Sequence, residues 1–155
     1  MAEPVAEHHH GQCHCGAITV DLALSKPAGA QQVRSCQCGF CRRQGSRTIA
    51  DPGGQAVVRA ATPDTVLRYR FGLKSADFLV CRQCGTYVAA VMGEAGRSVS
   101  VVNVGGLDIA AFRGRVGDTV TYDGEDVSQR LARRKTYWMP IELRLDGSPT
   151  AAPPA

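Results

Sequence analysis

Cysteines occur in this sequence only in three short clusters, and their spacing is that of metal ligands. The clusters read Cys13-His14-Cys15-Gly16, Cys36-Gln37-Cys38-Gly39-Phe40-Cys41 and Cys81-Arg82-Gln83-Cys84-Gly85. Thiolates one and three positions apart can converge on one ion, and a glycine after a cysteine lets the chain turn tightly around it. A tetrahedral zinc site takes four thiolates, so the seven cysteines divide as four plus three. Four form a closed structural site, whereas three leave one coordination position open for water or a substrate.

The first and third clusters are predicted to share one structural ion. The first cluster precedes a predicted strand, and the third lies between two predicted strands much further along the chain. An ion bound by both clusters would close a long loop and stabilise the folded state. The four ligands of this predicted structural zinc are Cys13, Cys15, Cys81 and Cys84.

The middle cluster is the candidate reactive site, because its thiolates lie too close together in the sequence to join distant segments. Its predicted zinc ligands and candidate catalytic residues are Cys36, Cys38 and Cys41. A metal and nearby positive charge both favour the thiolate form of a bound cysteine or thiol substrate, and guanidinium groups bind carboxylates. The arginines predicted to contact the carboxylates of a thiol substrate are Arg42, Arg43 and Arg47.

A closed middle site is the alternative that the sequence leaves open. Its fourth ligand could come from the run His8-His9-His10, from His14 or from Asp51. The second ion would then be structural as well. The histidine run is predicted instead to belong to a solvated N-terminal tract. Both interpretations assign the cluster to a metal, and they differ in whether a coordination position stays open.

Composition and charge argue against several other classes of protein. The net charge of +4 tolerates anionic ligands but does not argue for nucleic acid, and aromatic residues that could stack on bases are sparse. No run of about 18 apolar residues predicts a membrane span, and the polar, acidic start of the chain lacks the apolar segment of a signal peptide. An odd number of cysteines without such a signal indicates metal-binding thiols rather than disulfides. The sequence therefore predicts a reduced, cytoplasmic protein.

Short segments of alternating or β-branched residues predict a mainly β domain. Candidate strands, separated by turns that contain glycine or proline, cover residues 17–24, 48–50, 56–59, 65–69, 77–80, 86–92, 98–104 and 141–145. We expect one domain over residues 11–146, preceded by a flexible tract at 1–10 and followed by a disordered Pro/Ala-rich tail at 147–155. The order of elements favours antiparallel sheets with a short helix near the C-terminus.

One helix is predicted over residues 127–137, with Asp126 as its N-cap. Its basic residues are expected to form a solvated face, and Tyr137 and Trp138 are expected to pack in the core or at its rim. The segment 68–78 is basic and aromatic enough to border a substrate site, although a β-hairpin connection explains it equally well. The basic residues of the helix are Arg130, Arg133, Arg134 and Lys135.

The order of the cysteine motifs resembles that of a known family. The pattern C-x-C-G, then C-x-C-x-x-C-R-[RK], then C-x-x-C-G is similar to that of the glutathione-dependent formaldehyde-activating enzyme (GFA) family, which includes centromere protein V-like proteins. The resemblance covers residues 11–104. It implies a β-tent type fold of coiled antiparallel sheets with zinc knuckles. It also implies two zinc ions, one held by the first and third clusters and a reactive one held by the middle cluster.

The resemblance further implies a carbon–sulfur lyase activity. The founding activity of the family forms S-(hydroxymethyl)glutathione, so the implied partners are a small-molecule thiol and an aldehyde, with glutathione as co-substrate and formaldehyde as the aldehyde. In this chain Gln37 stands where many members have histidine, and Gly39 stands where they have serine. Both changes alter the surroundings of the metal ligands without removing a ligand. A zinc-stapled, non-catalytic binding module and a metal-handling protein are the alternative functions.

Overall fold

The structure, a computed structural model, describes residues 7–94 and 97–147. Within these residues the chain forms eleven strands, two α-helices and three single turns of 3-10 helix. The strands are β1 (Glu7–Gln12), β2 (Ile18–Leu24), β3 (Arg34–Cys36), β4 (Thr48–Ile49), β5 (Gln55–Ala60), β6 (Val66–Tyr69), β7 (Asp77–Cys81), β8 (Tyr87–Glu94), β9 (Arg97–Asn103), β10 (Asp118–Val120) and β11 (Met139–Arg144). The helices are α1 (Gly39–Gln44) and α2 (Val127–Tyr137).

Strand β11 joins two groups of strands. The first group runs β1–β2–β5–β11, and its pairs are antiparallel except for the parallel pair β5–β11. The second group contains β6, β7, β8, β9, β4, β3 and β10, and its pairs are antiparallel except for β3–β10. The start of β11 pairs with β9 through Met139 and Pro140. The mainly β fold with antiparallel sheets and a short C-terminal helix, predicted from the sequence, is confirmed.

Two apolar clusters form the core. The larger one takes the alternate residues of β2, which is buried at every second position from Ile18 to Leu24, as expected for a strand with one face toward the interior. The smaller cluster contains Cys41, Tyr87 and Trp138, and the other two cysteines of the middle cluster pack against it. The middle cluster is therefore supported by well-packed side chains rather than by a solvated loop.

Part of the predicted flexible N-terminal tract forms a strand in the structure. Strand β1 pairs with β2 from Glu7 opposite Leu24 to Gln12 opposite Thr19, so residues 7–10 belong to a sheet rather than to a flexible tract. Residues 1–6 and residues 148–155 of the predicted tail lie outside the described residues. No helix in the described ranges is long and apolar enough to cross a membrane.

Helix α2 begins and ends where the sequence predicts. The Asp126 carboxylate accepts a hydrogen bond from Gln129 N at 2.8 Å, and the Gln129 side chain accepts one from Asp126 N at 3.0 Å. This reciprocal arrangement is a capping box, which satisfies two backbone amides that a helix start would otherwise leave free. Helix α1 and the strands β1, β3 and β10 were not predicted from the sequence.

Candidate metal centres and ligand cavity

Two tight turns bring the four outer thiols together. One turn follows β1, and the other joins β7 to β8. Each turn is closed by a glycine at positive φ, +82° at Gly16 and +81° at Gly85, a backbone conformation that residues with a Cβ rarely adopt. The residues that these turns bring together are Cys13, Cys15, Cys81 and Cys84.

The geometry of this four-thiol group fits tetrahedral zinc. The four Sγ atoms all lie within 4.8 Å of one another. The Sγ atom of Cys15 is 3.7 Å from that of Cys13 and 3.6 Å from that of Cys81. Zinc–sulfur bonds of about 2.3 Å at tetrahedral angles would separate the sulfurs by about 3.8 Å. The donor set and its spacing therefore match a closed four-thiolate site.

Hydrogen bonds around the four-thiol group favour thiolates at some positions. Burial is the largest influence on Cys84 and opposes its ionisation, but hydrogen bonds from the Thr86 hydroxyl and from backbone amides lower the pKa of Cys84 to about 5. Burial raises the pKa of Cys13 to about 12, because a charged sulfur loses its hydration there. Ile18 N nevertheless donates a hydrogen bond to Cys13 Sγ at 3.3 Å. An ion would replace the remaining protons and use these donors as its outer shell.

Helix α1 shapes the middle cluster. Strand β3 ends at Cys36, Cys38 is the N-cap of α1, and Cys41 lies in the first turn of that helix. Cys41 N donates a hydrogen bond to Cys38 Sγ at 3.3 Å, as an N-cap side chain accepts from a free backbone amide. Gly45 then ends the helix at φ +60°. As a result the three Sγ atoms lie within 4.8 Å of one another.

Among the described residues, no histidine or carboxylate joins this three-thiol group. Asp51 is only 1% exposed, and its carboxylate accepts hydrogen bonds from Ser25 and Gln31 instead. His14 lies in the turn of the four-thiol group, where its backbone amide donates to Thr86. The other candidate ligands are on strand β1: His8, His9 and His10. The predicted alternative of a closed middle site therefore finds no fourth ligand in the described ranges.

A cavity of about 290 Å³ opens onto the three thiols. Its walls come from the second strand group, from the segment after β6 and from α2. The segment predicted to border a substrate site contributes Phe71, Ser75 and Phe78 to this lining. The aromatic residues of the lining are Phe71, Phe78, Tyr87, Tyr122, Tyr137 and Trp138. A mostly apolar cavity with a few polar groups is the usual form of a small-molecule site.

The arginines predicted from the sequence do not line this cavity. Arg42 Nε donates to the carbonyl oxygen of Gln37 at 3.0 Å, and Arg43 Nη1 donates to that of Gly39 at 2.9 Å. Both side chains thus fold back onto the start of their own helix. Arg47 lines a separate, shallow cavity of about 220 Å³. This placement gives no support to their predicted contact with substrate carboxylates, which stays a prediction.

Helix α2 turns its arginines into the cavity rather than toward solvent, which corrects the expected solvated face. Arg134 is only 6% exposed, stacks on Trp138 at 4.6 Å and donates from Nη1 to Ser75 Oγ at 2.7 Å. Burial lowers the pKa of Arg134 to about 10, so the side chain stays charged at neutral pH. The arginines that line the cavity are Arg34, Arg130, Arg133 and Arg134. The i, i+3, i+4 spacing of the last three was the sequence signal of a shared helix face.

The thiols and a phenol at the cavity floor differ in charge. A hydrogen bond with the Cys41 thiol lowers the pKa of Cys36 to about 6, with a smaller contribution from Arg133. The same hydrogen bond, together with burial, raises the pKa of Cys41. Burial raises the pKa of Tyr87 well above its ordinary value, and the three neighbouring thiols act in the same direction. The floor therefore combines sulfurs that can ionise with a phenol that stays protonated.

The chain is similar to one protein of known structure and matches one family model. The chain is similar to the crystal structure of a Rhodobacter sphaeroides protein, with 27% sequence identity over 73% of this chain and 99% of that chain and a TM-score of 0.49. The family model described as glutathione-dependent formaldehyde-activating enzyme matches residues 8–120. This match contains all three cysteine clusters and ends before α2. The chain belongs to the glutathione-dependent formaldehyde-activating enzyme family.

Proposed function

We propose that this protein is a zinc-dependent carbon–sulfur lyase of the formaldehyde-activating type. It would add glutathione or a similar small thiol to an aldehyde, or catalyse the reverse reaction, in the manner of an S-(hydroxymethyl)glutathione synthase. The observation that carries the proposal is the three-thiol group at the floor of a cavity that can admit a small molecule. Membership of the family supports the reaction class.

The two thiol groups receive different roles in this proposal. The four-thiol group would hold a structural zinc, because its donor set is complete and tetrahedral sites of this kind are structural. Cys36, Cys38 and Cys41 would hold the reactive zinc, because three donors leave a coordination position for a substrate. One domain over residues 11–146, extended at its start by β1, would contain both ions.

The reaction balances without an oxidant or a reductant. The S–H bond of the thiol adds across the aldehyde carbonyl, so an S–C bond forms, the π bond of the carbonyl breaks, and a proton ends on its oxygen. A zinc ion held by the three thiolates would supply a Lewis acid with an open position, at which a thiol loses its proton near neutral pH. The aromatic lining would exclude water from the reacting groups, and the arginines of the wall would hold anionic parts of the substrate.

Tyr87 is the proton donor that we assign to the carbonyl oxygen. It lines the cavity together with the three cysteines, and burial keeps the pKa of its phenol high. A neutral phenol that faces the reacting atoms can donate a proton as negative charge develops on oxygen.

The experiment that tests the proposal measures zinc per chain and catalysis on the same protein, purified without chelator. We expect two zinc ions, one of them perturbed by glutathione, and formation of the hydroxymethyl thioether faster than the uncatalysed rate. Two zinc ions that are indifferent to glutathione, with no acceleration by any small thiol and aldehyde, would favour a binding module. Rapid zinc exchange without aldehyde chemistry would favour metal handling. We also propose that the protein works in the cytoplasm, where reducing conditions keep free thiols available for metal binding.

A further inference from the structure

Arg134 is a buried cation without an acidic partner in the described part of the chain. Its side chain is 94% enclosed, since only 6% of the residue is exposed. Its Nη1 group donates to the neutral Ser75 hydroxyl, and its Nε group is buried without a hydrogen-bond partner. A buried charge is costly unless it is paired. The missing partner is therefore expected to be a ligand.

The neighbouring arginines do not share this property. Glu125 lies just before α2 and accepts hydrogen bonds from Arg133 Nε at 2.7 Å and Arg133 Nη2 at 2.9 Å, with Arg130 Nε at 3.4 Å. Arg133 also stacks over the Tyr122 ring at 3.6 Å. One carboxylate thus serves two guanidinium groups, and none of its oxygens bonds to Arg134. Arg134 is left as the buried cation that faces the cavity.

We propose that Arg134 binds a carboxylate of the substrate inside the cavity and makes the protein selective for carboxylate-bearing substrates over neutral ones. Arg134 lines the same cavity as the three-thiol group. The planar face of its guanidinium is fixed by the Trp138 ring at 4.6 Å, and a guanidinium presents the paired N–H donors that carboxylates prefer. The residue would be a specificity determinant, since it would touch the substrate away from the reacting carbon and sulfur.

Arg134 lies on the C-terminal helix, outside the part of the chain that matches the family model. Helix α2 begins at Val127, after the end of the residues that match the family model at 120. The inference rests on the proposed function for the thiol chemistry, but the anion site itself rests on the contacts of Arg134 alone. The carboxylate can belong to the thiol or to the aldehyde, and paired probes distinguish these two sources.

The experiment uses the zinc-loaded protein and the fluorescence of Trp138, the single tryptophan of the chain. One probe pair is 3-mercaptopropionate and its neutral amide; the second is glyoxylate and its neutral amide. In the probe pair that matches the natural substrate, we expect the acid to bind about 10- to 100-fold more tightly than the amide. A charge-assisted hydrogen bond between a guanidinium and a carboxylate provides a difference of this size. In Arg134→Gln the acid and the amide should bind with equal affinity, and Arg134→Lys should keep part of the preference for the acid.

Arg144→Gln is the matched control, because Arg144 pairs with Glu142 on β11 and neither residue lines the cavity. It should leave the ratio unchanged. The acid-to-amide comparison needs only the wild-type protein, so equal affinities for acid and amide would overturn the proposal even if Arg134→Gln fails to fold. Equal affinities for acid and amide in both pairs, or a ratio that survives in Arg134→Gln, would overturn the proposal.

Three further outcomes distinguish the proposed anion site from charge compensation at the thiolates and from the proposed lyase reaction. If Arg134 only offsets the charge of the thiolates, Arg134→Gln changes zinc affinity while the acid-to-amide ratio stays constant, which overturns the inference. If the acids bind through Arg134 but no thiol adds to any aldehyde, the anion site stands and the proposed lyase reaction fails. Thiol addition without acid selectivity gives the opposite result, with the lyase reaction intact and the anion site rejected.

Discussion

At the scale of single residues, Asp51 is a buried carboxylate that fastens two segments of the chain. It lies between β4 and β5 and accepts hydrogen bonds from Ser25 N at 2.7 Å, Ser25 Oγ at 2.6 Å and Gln31 Nε2 at 3.0 Å. Burial is the largest influence and opposes ionisation, but these hydrogen bonds together lower the pKa of Asp51 below its ordinary value. Its role is to hold the end of β2 against the loop before β5, rather than to bind an ion.

We expect Asp51→Asn to lower the free energy of unfolding by about 1–3 kcal/mol at pH 7, because an amide cannot accept all of these hydrogen bonds. Since folding lowers the pKa of Asp51, its contribution is complete above the unfolded-state pKa of about 3.9 and is lost as the pH falls through the folded-state value. The difference between wild type and variant should therefore shrink below about pH 4. Urea unfolding between pH 7 and 3 measures it, with the exposed Asp64→Asn as control. A difference that stayed constant with pH would contradict this account.

Tyr87→Phe tests the proton donor at the same scale. The ring packs against Phe40 at 5.1 Å and Phe78 at 5.7 Å, and phenylalanine preserves both contacts while it removes the hydroxyl. We expect turnover of glutathione and formaldehyde to fall on the order of 10²-fold, with zinc content and melting temperature unchanged. Tyr69→Phe is the control, because Tyr69 is 46% exposed and lies outside the cavity lining. An unchanged rate in Tyr87→Phe would remove the phenol from the mechanism.

At the scale of elements, α2 supplies three of the four arginines that line the cavity. The helix supplies a wall of the cavity, and two sets of contacts hold its N-terminal end in place. The capping box of Asp126 and Gln129 satisfies the first backbone amides, and Glu125 holds two arginines of the first turns. These contacts set the direction in which the basic face points, so the helix start controls a surface that lies further along the helix.

Asp126→Ala should therefore affect both stability and binding. Loss of the N-cap is expected to cost about 1 kcal/mol, measured by urea unfolding. A frayed helix start would also loosen the arginine wall, so KM for a carboxylate-bearing thiol should rise several-fold while kcat changes less. Ser128→Ala, an exposed change in the same turn, provides the control and should leave both quantities unchanged. A loss of kcat without a change in KM would show that the helix start acts on the reacting groups instead.

The sequence predicted most elements because their signals are local. Alternation located the strands, and an N-cap residue located α2. Strands β3 and β10 contain only three residues each, too few for a periodic pattern. Helix α1 was missed because a glycine and a cysteine occupy its first turn, and its N-cap is a thiol rather than a hydroxyl or carboxylate. The destination of Arg134 could not be predicted, because packing across the sheet decides whether a basic helix face meets solvent or a cavity.

At the scale of the whole molecule, the two thiol groups differ in what they connect. The four-thiol group joins the turn between β1 and β2, in the first strand group, to the turn between β7 and β8, in the second. The three-thiol group lies within one short segment from the end of β3 into α1. An ion in the four-thiol group would link the two strand groups directly. An ion in the three-thiol group would add no such link, since α1 and β3 are already neighbours in the sequence.

Cys13→Ala and Cys38→Ala test this division in one comparison. Cys13→Ala removes a ligand that links the strand groups, and structural zinc contributes about 10 kcal/mol or more to folding, comparable with the total stability of a domain. We expect this variant to lose one zinc and much of its folded structure. Cys38→Ala should lose the other zinc and all activity but keep a cooperative thermal transition, because α1 is retained by its packing against Tyr87 and its neighbours. Thermal melts and zinc analysis of the two variants test this division. Equal destabilisation of both variants would mean that both ions are structural.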